Sequence, residues 1–398
     1  MSEHNAIKTP QGFLFSVAEA AVKKPGRKDI ALIVSEVDAT IAGTFTTNAV
    51  KAAPVRLCMQ NIKSGRGRTI VVNSGNANAC TGAQGLKDAG KIASHISHSL
   101  GVKPSLSYVC STGVIGVPLP MERITPALGI LLENAGDHSL LDVAKAIMTT
   151  DTFPKITSQE VTIGEKTGVI AGICKGSGMI QPHMATMLCF IITDIAVERK
   201  ALQALLKDSV GRSFNRITID GDMSTNDTVL LMANSMLGNK PITANSKCVR
   251  AFKAALDKVT YGLARLVVRD GEGATKLIEV TVKGAGNEAH AEKVAFAVAN
   301  SNLVKTAIYG NDANWGRIMC AVGYSGVPFR EDKTDIFFNG TQVVRGGISN
   351  NKDKEATEVL KSKEIGITID LHSGKSSASV LTCDLTEDYI RINAEYRT

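Results

Sequence analysis

A glycine-rich turn that breaks directly into an apolar run constrains this 398-residue chain more than any other feature: Lys175-Gly-Ser-Gly-Met-Ile-Gln-Pro-His-Met-Ala-Thr-Met-Leu-Cys-Phe-Ile-Ile-Thr-Asp194. A short apolar segment flanked by Gly and Pro predicts a buried strand over 187–192. The residue at its head, Thr186, then projects from a sheet edge into the cleft made by the preceding loop. Two readings of Thr186 stand side by side. Thr is common at strand starts, and most Gly-Ser-Gly loops are only turns. The second reading is chemical. Ala185 offers no bulk to hinder attack on its own carbonyl, so the Thr186 hydroxyl can cut the Ala185-Thr186 bond by an N-to-O acyl shift. The freed α-amine, with an ordinary pKa near ~8, then serves as general base for its own hydroxyl.

The chain is long enough for two domains of ordinary size. With 44% hydrophobic and 21% charged residues it is globular in composition. A net charge of +7 is mild at this length, and the basic residues are scattered apart from Lys63, Arg66 and Arg68 and the pair Lys23 and Lys24. A nucleic-acid groove calls for a denser basic track with exposed aromatics, and aromatics are only 5%. Small anionic substrates suit this balance better. The eight cysteines have no C-x-x-C spacing and most sit in apolar contexts, so they read as reduced core residues of a cytoplasmic protein. His95 and His98 have helical spacing but no completing ligands, so no metal is expected. The N-terminus lacks a signal pattern and no run reaches membrane-spanning length.

Along the chain, short apolar runs alternate with helical stretches. Strands are predicted over 30–37, 69–72 and 108–112, and helices over 84–100, 121–134 and 140–148. A hairpin-like pair, 160–163 and 168–174, precedes the glycine loop. Beyond it come a helix over 196–214, strands over 217–220 and 228–232, and a long helix over 246–268. Strands dominate the end. The pattern is α/β with mixed strand pairing.

The segment 175–194 resembles the processing site of the ornithine acetyltransferases, also called glutamate N-acetyltransferases, of arginine biosynthesis. The resemblance continues in Phe45-Thr-Thr-Asn-Ala-Val-Lys-Ala-Ala-Pro-Val55, Asn73-Ser-Gly-Asn-Ala-Asn-Ala-Cys-Thr-Gly82 and Ser111-Thr-Gly-Val-Ile-Gly116. It resumes at Met148-Thr-Thr-Asp-Thr152, Asp220-Gly-Asp-Met-Ser-Thr-Asn-Asp-Thr228, Arg269-Asp-Gly-Glu-Gly-Ala-Thr-Lys276, Gly310-Asn-Asp-Ala-Asn-Trp-Gly-Arg317 and Ile392-Asn-Ala-Glu-Tyr-Arg-Thr398. Nearly the whole chain is covered.

The resemblance implies a fold of two stacked mixed sheets between helical layers, like N-terminal-nucleophile hydrolases but with its own connectivity. It implies cleavage into an α chain, 1–185, and a β chain, 186–398, that stay interlocked, with two copies of each. It assigns the oxyanion hole to Thr112 and Gly113, and substrate binding to Thr149, Lys175, Glu272, Asn393 and Thr398, with Thr186 as nucleophile. The activity implied is transfer of acetyl from N-acetylornithine to glutamate without a cofactor. Whether acetyl-CoA is a second donor stays open, because the family contains both types.

The residues fit these roles in part. Gly113 lets backbone approach closely, though Ser-Thr-Gly after a strand also reads as a tight turn. Glu272, in Asp-Gly-Glu-Gly, is exposed by a glycine-flanked turn and suits the amine of an amino-acid substrate. Two other readings compete: an aminopeptidase or amidase using the same nucleophile, and a nucleotide-binding protein suggested by Gly284-x-Gly-x-x-Ala289. The latter lacks an acidic-ended second strand. Gly310-Asn-Asp-Ala-Asn314 reads as a structured turn packed near the pocket.

Overall fold

In the computed structural model, residues 7–181 and 187–395 are described. Thirteen strands longer than two residues and one short one form two mixed sheets. In the first sheet, β1 (Phe13–Ala18) and β3 (Arg66–Asn76) flank the N-terminal half of β2 (Ile30–Phe45), and β4 (Ser107–Val114) pairs parallel to β3. After β5 (Lys155–Ile163), β6 (Lys166–Lys175) and β7 (Leu188–Thr193) comes β8 (Thr228–Ala233), and the strand order is β4-β3-β2-β8-β7-β6-β5.

The long strand β2 explains how one sheet makes two layers. Its residues 30–34 pair with β3, its ladder breaks between Val34 and Ala39, and its residues 40–45 pair with β8. The two halves fold face to face. Ile70, Val72 and Tyr108 from one half share a buried cluster with Ala171, Phe190, Ile192 and Leu230 from the other. Helices Gly82–Ser99 and Met121–Glu133 cover the outer face of the first half, through Ile92, Ile96, Ile124 and Leu128 against Leu32, Val71 and Val109. Helices Arg199–Arg212 and Val249–Arg269 cover the second half. The result is helix, sheet, sheet, helix, which is the layering expected from the sequence. Strands buried on both faces need unbroken apolar runs, and Leu188-Cys-Phe-Ile-Ile supplies one.

The long helix shows the energetics. Phe252, Leu256, Val259, Leu263 and Val267 repeat at helical spacing and are all fully buried, each contributing roughly 1.5–3 kcal/mol of burial. Gly172 on β6 sets how closely this helix sits, because a Cβ there would lie 2.9 Å from Leu263 Cδ1 and 3.0 Å from Val259 Cγ1.

The second sheet comprises β9 (Leu277–Ala285), β10 (Asp335–Phe338), β11 (Thr341–Arg345), β12 (Ile348–Ser349), β13 (Glu364–Asp370) and β14 (Ser376–Cys383). It packs one face on helices Glu288–Ala299, Asn302–Tyr309 and Trp315–Tyr324. The other face carries polar residues, among them Thr281 and Ser379, whose hydroxyls bond at 2.8 Å. This separate sheet was legible in the sequence only as a strand-rich end.

Three expectations need correction. The strand expected over 30–37 runs on to Phe45, because it crosses an irregularity and changes partner. The strand expected over 217–220 is a single bridge from Ile217 to Leu381. There the chain ties the glycine loop to the second sheet instead of joining a ladder: Ile219 N donates to Ile180 O and Thr218 N to Leu381 O. The turn 310–314 joins helices Asn302–Tyr309 and Trp315–Tyr324 over the second sheet, and its residues are absent from the pocket lining described below. The Gly284 loop does sit between a strand and a helix, but it packs on its own chain. A Cβ at Gly284 would lie 2.4 Å from Asp370 Oδ1, and Asn287 caps the helix by accepting from His290 N. Among the described residues no helix is long and apolar enough to cross a membrane. Cys58, Cys110, Cys174, Cys189 and Cys383 are buried as expected, whereas Cys80 and Cys320 are exposed.

Candidate active site

One pocket gathers residues spread over most of the sequence. Its lining includes Thr112 and Gly113 at the end of β4, Thr149 after helix Leu140–Ala146, Lys175 at the end of β6, Glu272 after the long helix, and Asn393 on helix Glu387–Glu395. All six of these were picked out as site residues from the sequence. Thr186, Ala185 and Thr398 lie outside the described residues. The strand that follows Thr186 ends its ladder at this pocket: Leu188 pairs with Lys175 on one side and Thr228 on the other.

Lys175 is the hub. Its ammonium donates to Thr149 Oγ1 at 2.7 Å and to Thr112 Oγ1 at 3.4 Å. An ammonium only donates, so both hydroxyls act as acceptors toward it and keep their own hydrogens for another partner. The Lys175 side chain is almost fully buried, and burial pulls its pKa down from the ordinary lysine value. Asp151, 3.9 Å away, opposes this without reversing it. The like charge of Lys155 adds to the lowering, and Asp151 serves other donors as well: Oδ1 accepts from Gly176 N and Lys155 Nζ, and Oδ2 from Thr149 N.

Beneath the hub lies a buried ionic cluster that the sequence reading missed. Lys155 reaches Asp151 Oδ1 at 2.6 Å and Asp270 Oδ2 at 2.5 Å, with the Asp151 and Lys155 side chains fully inaccessible. Burial works to raise the Asp151 pKa, but Lys175, Lys155 and the Gly176 amide hold it down at about 2. Asp270 also accepts from the backbone N–H and the hydroxyl of Thr152. The cluster thus locks 149–152 to the end of the long helix, two residues before Glu272.

Glu272 is set by contacts from both sides. Its backbone N–H donates to Ser177 O at 2.8 Å, and its Oε2 accepts from Asn393 Nδ2 at 2.9 Å. The space for its carboxylate exists because residue 178 is glycine: a Cβ there would lie 2.4 Å from Oε2. Tyr389, one helical turn before Asn393, donates to Asp220 Oδ2 at 3.3 Å. Asp220 in turn accepts from Met179 N and Ile180 N, and burial raises its pKa. The helix Glu387–Glu395 is therefore part of the pocket wall through Tyr389 and Asn393.

The corner at Thr112 and Gly113 depends on backbone geometry. Gly113 has φ +133°, and a Cβ would fall 2.3 Å from Gly75 C on the neighbouring strand, so only glycine fits. Thr112 is 3% exposed at the pocket floor. Behind it, Asn226 donates to Ser111 O at 2.8 Å and Ala77 O at 2.6 Å, tying β4 to the segment before β8. Asp220, Asp222, Ser224, Thr225, Asn226 and Tyr389 all line the pocket without having been singled out from the sequence. The first five fall in the segment 220–228, which carries the family resemblance without a role for any one residue; Tyr389 had no advance signal.

A layered α/β scaffold with a pocket of two hydroxyls, a buried lysine, a positive-φ glycine and a carboxylate is the build of an acyl-transfer enzyme. The ArgJ family model matches residues 14–398, and the chain belongs to that family. The arginine biosynthesis bifunctional protein ArgJ of Geobacter sulfurreducens is 52% identical over 98% of this chain and 99% of its own. The protein of the same name from Symbiobacterium thermophilum is 48% identical over 98% of each. A solved structure of arginine biosynthesis bifunctional protein ArgJ from Bacillus halodurans is 44% identical, with a TM-score of 0.51. That likeness covers 52% of this chain and 98% of the solved one.

Proposed function

We propose that the protein transfers acetyl from N2-acetyl-L-ornithine to L-glutamate through an ester on Thr186, after cutting its own Ala185-Thr186 bond. The observation that carries this reading is the convergence of Thr112, Gly113, Thr149, Lys175, Glu272 and Asn393 on one pocket at the head of the strand Thr186 precedes. Membership of a family whose relatives are named for arginine biosynthesis supports the pathway. The solved relative's chain matches about half of this one almost end to end, which agrees with a precursor cut near its middle into 1–185 and 186–398. Two copies of each chain, in the cytoplasm, complete the proposal.

The chemistry follows from the placement. The Thr186 amine takes the proton from its own hydroxyl as the oxygen attacks the acetyl carbonyl. Negative charge then develops on the carbonyl oxygen. The Thr112 hydroxyl, whose hydrogen Lys175 leaves free, and the Gly113 N–H stabilise it, each worth about 2.7–4 kcal/mol of barrier. Ornithine leaves with the proton returned by the amine. Glutamate enters and its amine collects the acetyl group by the reverse sequence, so the kinetics are ping-pong. Both substrates carry an α-carboxylate beside an amine or amide. Lys175 and the Thr149 hydroxyl suit the carboxylate; Glu272, steadied by Asn393, suits a substrate ammonium.

The test is direct. Purified protein is incubated with acetylornithine, with and without glutamate, and ornithine and acetylglutamate are measured. Release of ornithine should depend on glutamate. Full release without glutamate would instead support the amidase reading, and acetylglutamate formed from acetyl-CoA would establish a second donor.

A further inference from the structure

A second cavity opens beside the pocket described above, and Thr149 lines both. Its cations are Lys23 and Lys24, the pair set apart from the scattered basic residues of the sequence, and Arg27. Arg27 is fixed in place. Its Nη2 donates to Met148 O at 2.5 Å, to Ser74 Oγ at 3.2 Å and to Ala146 O at 3.3 Å, while Nη1 makes no hydrogen bond among the described residues. Among those residues one carboxylate lines this cavity, Asp29, and it is buried. Its oxygens accept from Ala20 N at 2.7 Å and Val22 N at 2.6 Å. Both are thus taken by amides, and the cavity keeps an excess of positive charge.

The neighbouring pocket has the opposite balance. Among the described residues Lys175 is the one cation that lines it, against Asp220, Asp222 and Glu272. The two substrates of the transfer differ in the same way. Both carry an α-carboxylate, but the far end of acetylornithine is an ammonium and that of glutamate is a second carboxylate. The ammonium suits Glu272. A carboxylate in its place would meet like charge and lose affinity. We propose that the cavity of Lys23, Lys24 and Arg27 is the acceptor subsite that takes the side-chain carboxylate of glutamate. The proposal rests on the acetyl-transfer reading above.

Reach and rigidity support it. Met148 O, which holds Arg27, is three bonds from Thr149 Cα, so the guanidinium lies within about 7 Å of that atom. The two carboxyl carbons of an extended glutamate are about 5 Å apart. A molecule whose α-carboxylate meets Lys175 and Thr149 can therefore present its second carboxylate across Thr149 to the cations, where charge-assisted hydrogen bonds receive it. Gly75 brings the lysines close. A Cβ there would lie 2.9 Å from Lys23 Cβ, and the same residue pairs with Gly113 of β4. One strand, β3, thus carries the cations against it and Gly113 as its ladder partner.

Initial rates are measured with acetylornithine and each of two acceptors, glutamate and glutamine, which differ in one charge and hardly in size. Lys23→Gln combined with Lys24→Gln leaves Arg27 and its anchors in place. Wild type should use glutamate about tenfold or more better than glutamine by kcat/KM. In K23Q/K24Q the kcat/KM for glutamate should fall about tenfold or more while that for glutamine holds. The kcat/KM for acetylornithine, which in a ping-pong scheme reports the donor half alone, should also hold. An equal fall for glutamate and glutamine, or none for either, overturns the proposal. So does a wild type that accepts both equally, whatever the variant does. Should the double variant fail to fold, K24Q alone, at an exposed position, carries the same comparison. A wild type that transfers no acetyl to either acceptor overturns the acetyl-transfer reading itself, a distinct result.

Discussion

Lys175 and Thr149 meet at 2.7 Å across the gap between the end of β6 and the segment after helix Leu140–Ala146, so a buried ammonium is held by a neutral hydroxyl at the pocket floor. Lys175→Met keeps the bulk and removes the charge. If this ammonium receives the substrate carboxylate, the substitution lowers kcat/KM about ten- to a hundredfold, the worth of one charged hydrogen bond. Steady-state kinetics with acetylornithine and glutamate check it, and circular dichroism shows that the fold survives.

Asp151 links stability to acid. Its folded carboxyl ionises at about 2 against an ordinary 3.8. The stability it contributes is therefore complete above 3.8 and drains away as pH falls from there to about 2. Denaturant titrations across that window should show a loss of about 2 kcal/mol that Asp151→Asn lacks. At neutral pH the same variant leaves Lys155 with Asp270 alone and should lose about 3–5 kcal/mol.

Gly178→Ala separates binding from folding. The added methyl's nearest neighbours are the carboxylate atoms at the far end of Glu272, 2.4 Å away at Oε2, and the backbone at 178 carries no positive φ. Displacing that carboxylate should raise KM severalfold while thermal stability changes by less than about 1 kcal/mol. Melting curves and substrate titrations distinguish this from general damage.

Asn226→Ala removes the donors to Ser111 O and Ala77 O. Each abandoned buried carbonyl costs about 1–3 kcal/mol. Because Ser111 precedes Thr112, the loss should also lower kcat with KM little changed, measured alongside chemical denaturation.

The sequence made some of this site legible and hid the rest for physical reasons. Thr112, Gly113, Lys175 and Glu272 stand beside glycines in short motifs, so local pattern and family resemblance marked them. The buried cluster of Asp151, Lys155 and Asp270 spans 115 positions from Lys155 to Asp270, and no local signal records a pairing made only by folding. Asp220 and Tyr389 meet across 169 positions for the same reason. The apolar run 188–192 marked a buried strand, because burial on both faces requires it, whereas the layering came from the family resemblance. The extension of β2 was not readable, because its polar midpoint at 35–38 reads as an end, whereas tertiary pairing with β8 carries the strand on.

The most direct test of the account is the intact mass of the purified protein. Wild type should resolve into two polypeptides parted between Ala185 and Thr186, while Thr186→Ala remains whole and transfers no acetyl. An active protein that is one unbroken chain, or acetyl transfer that persists without the Thr186 hydroxyl, would contradict it.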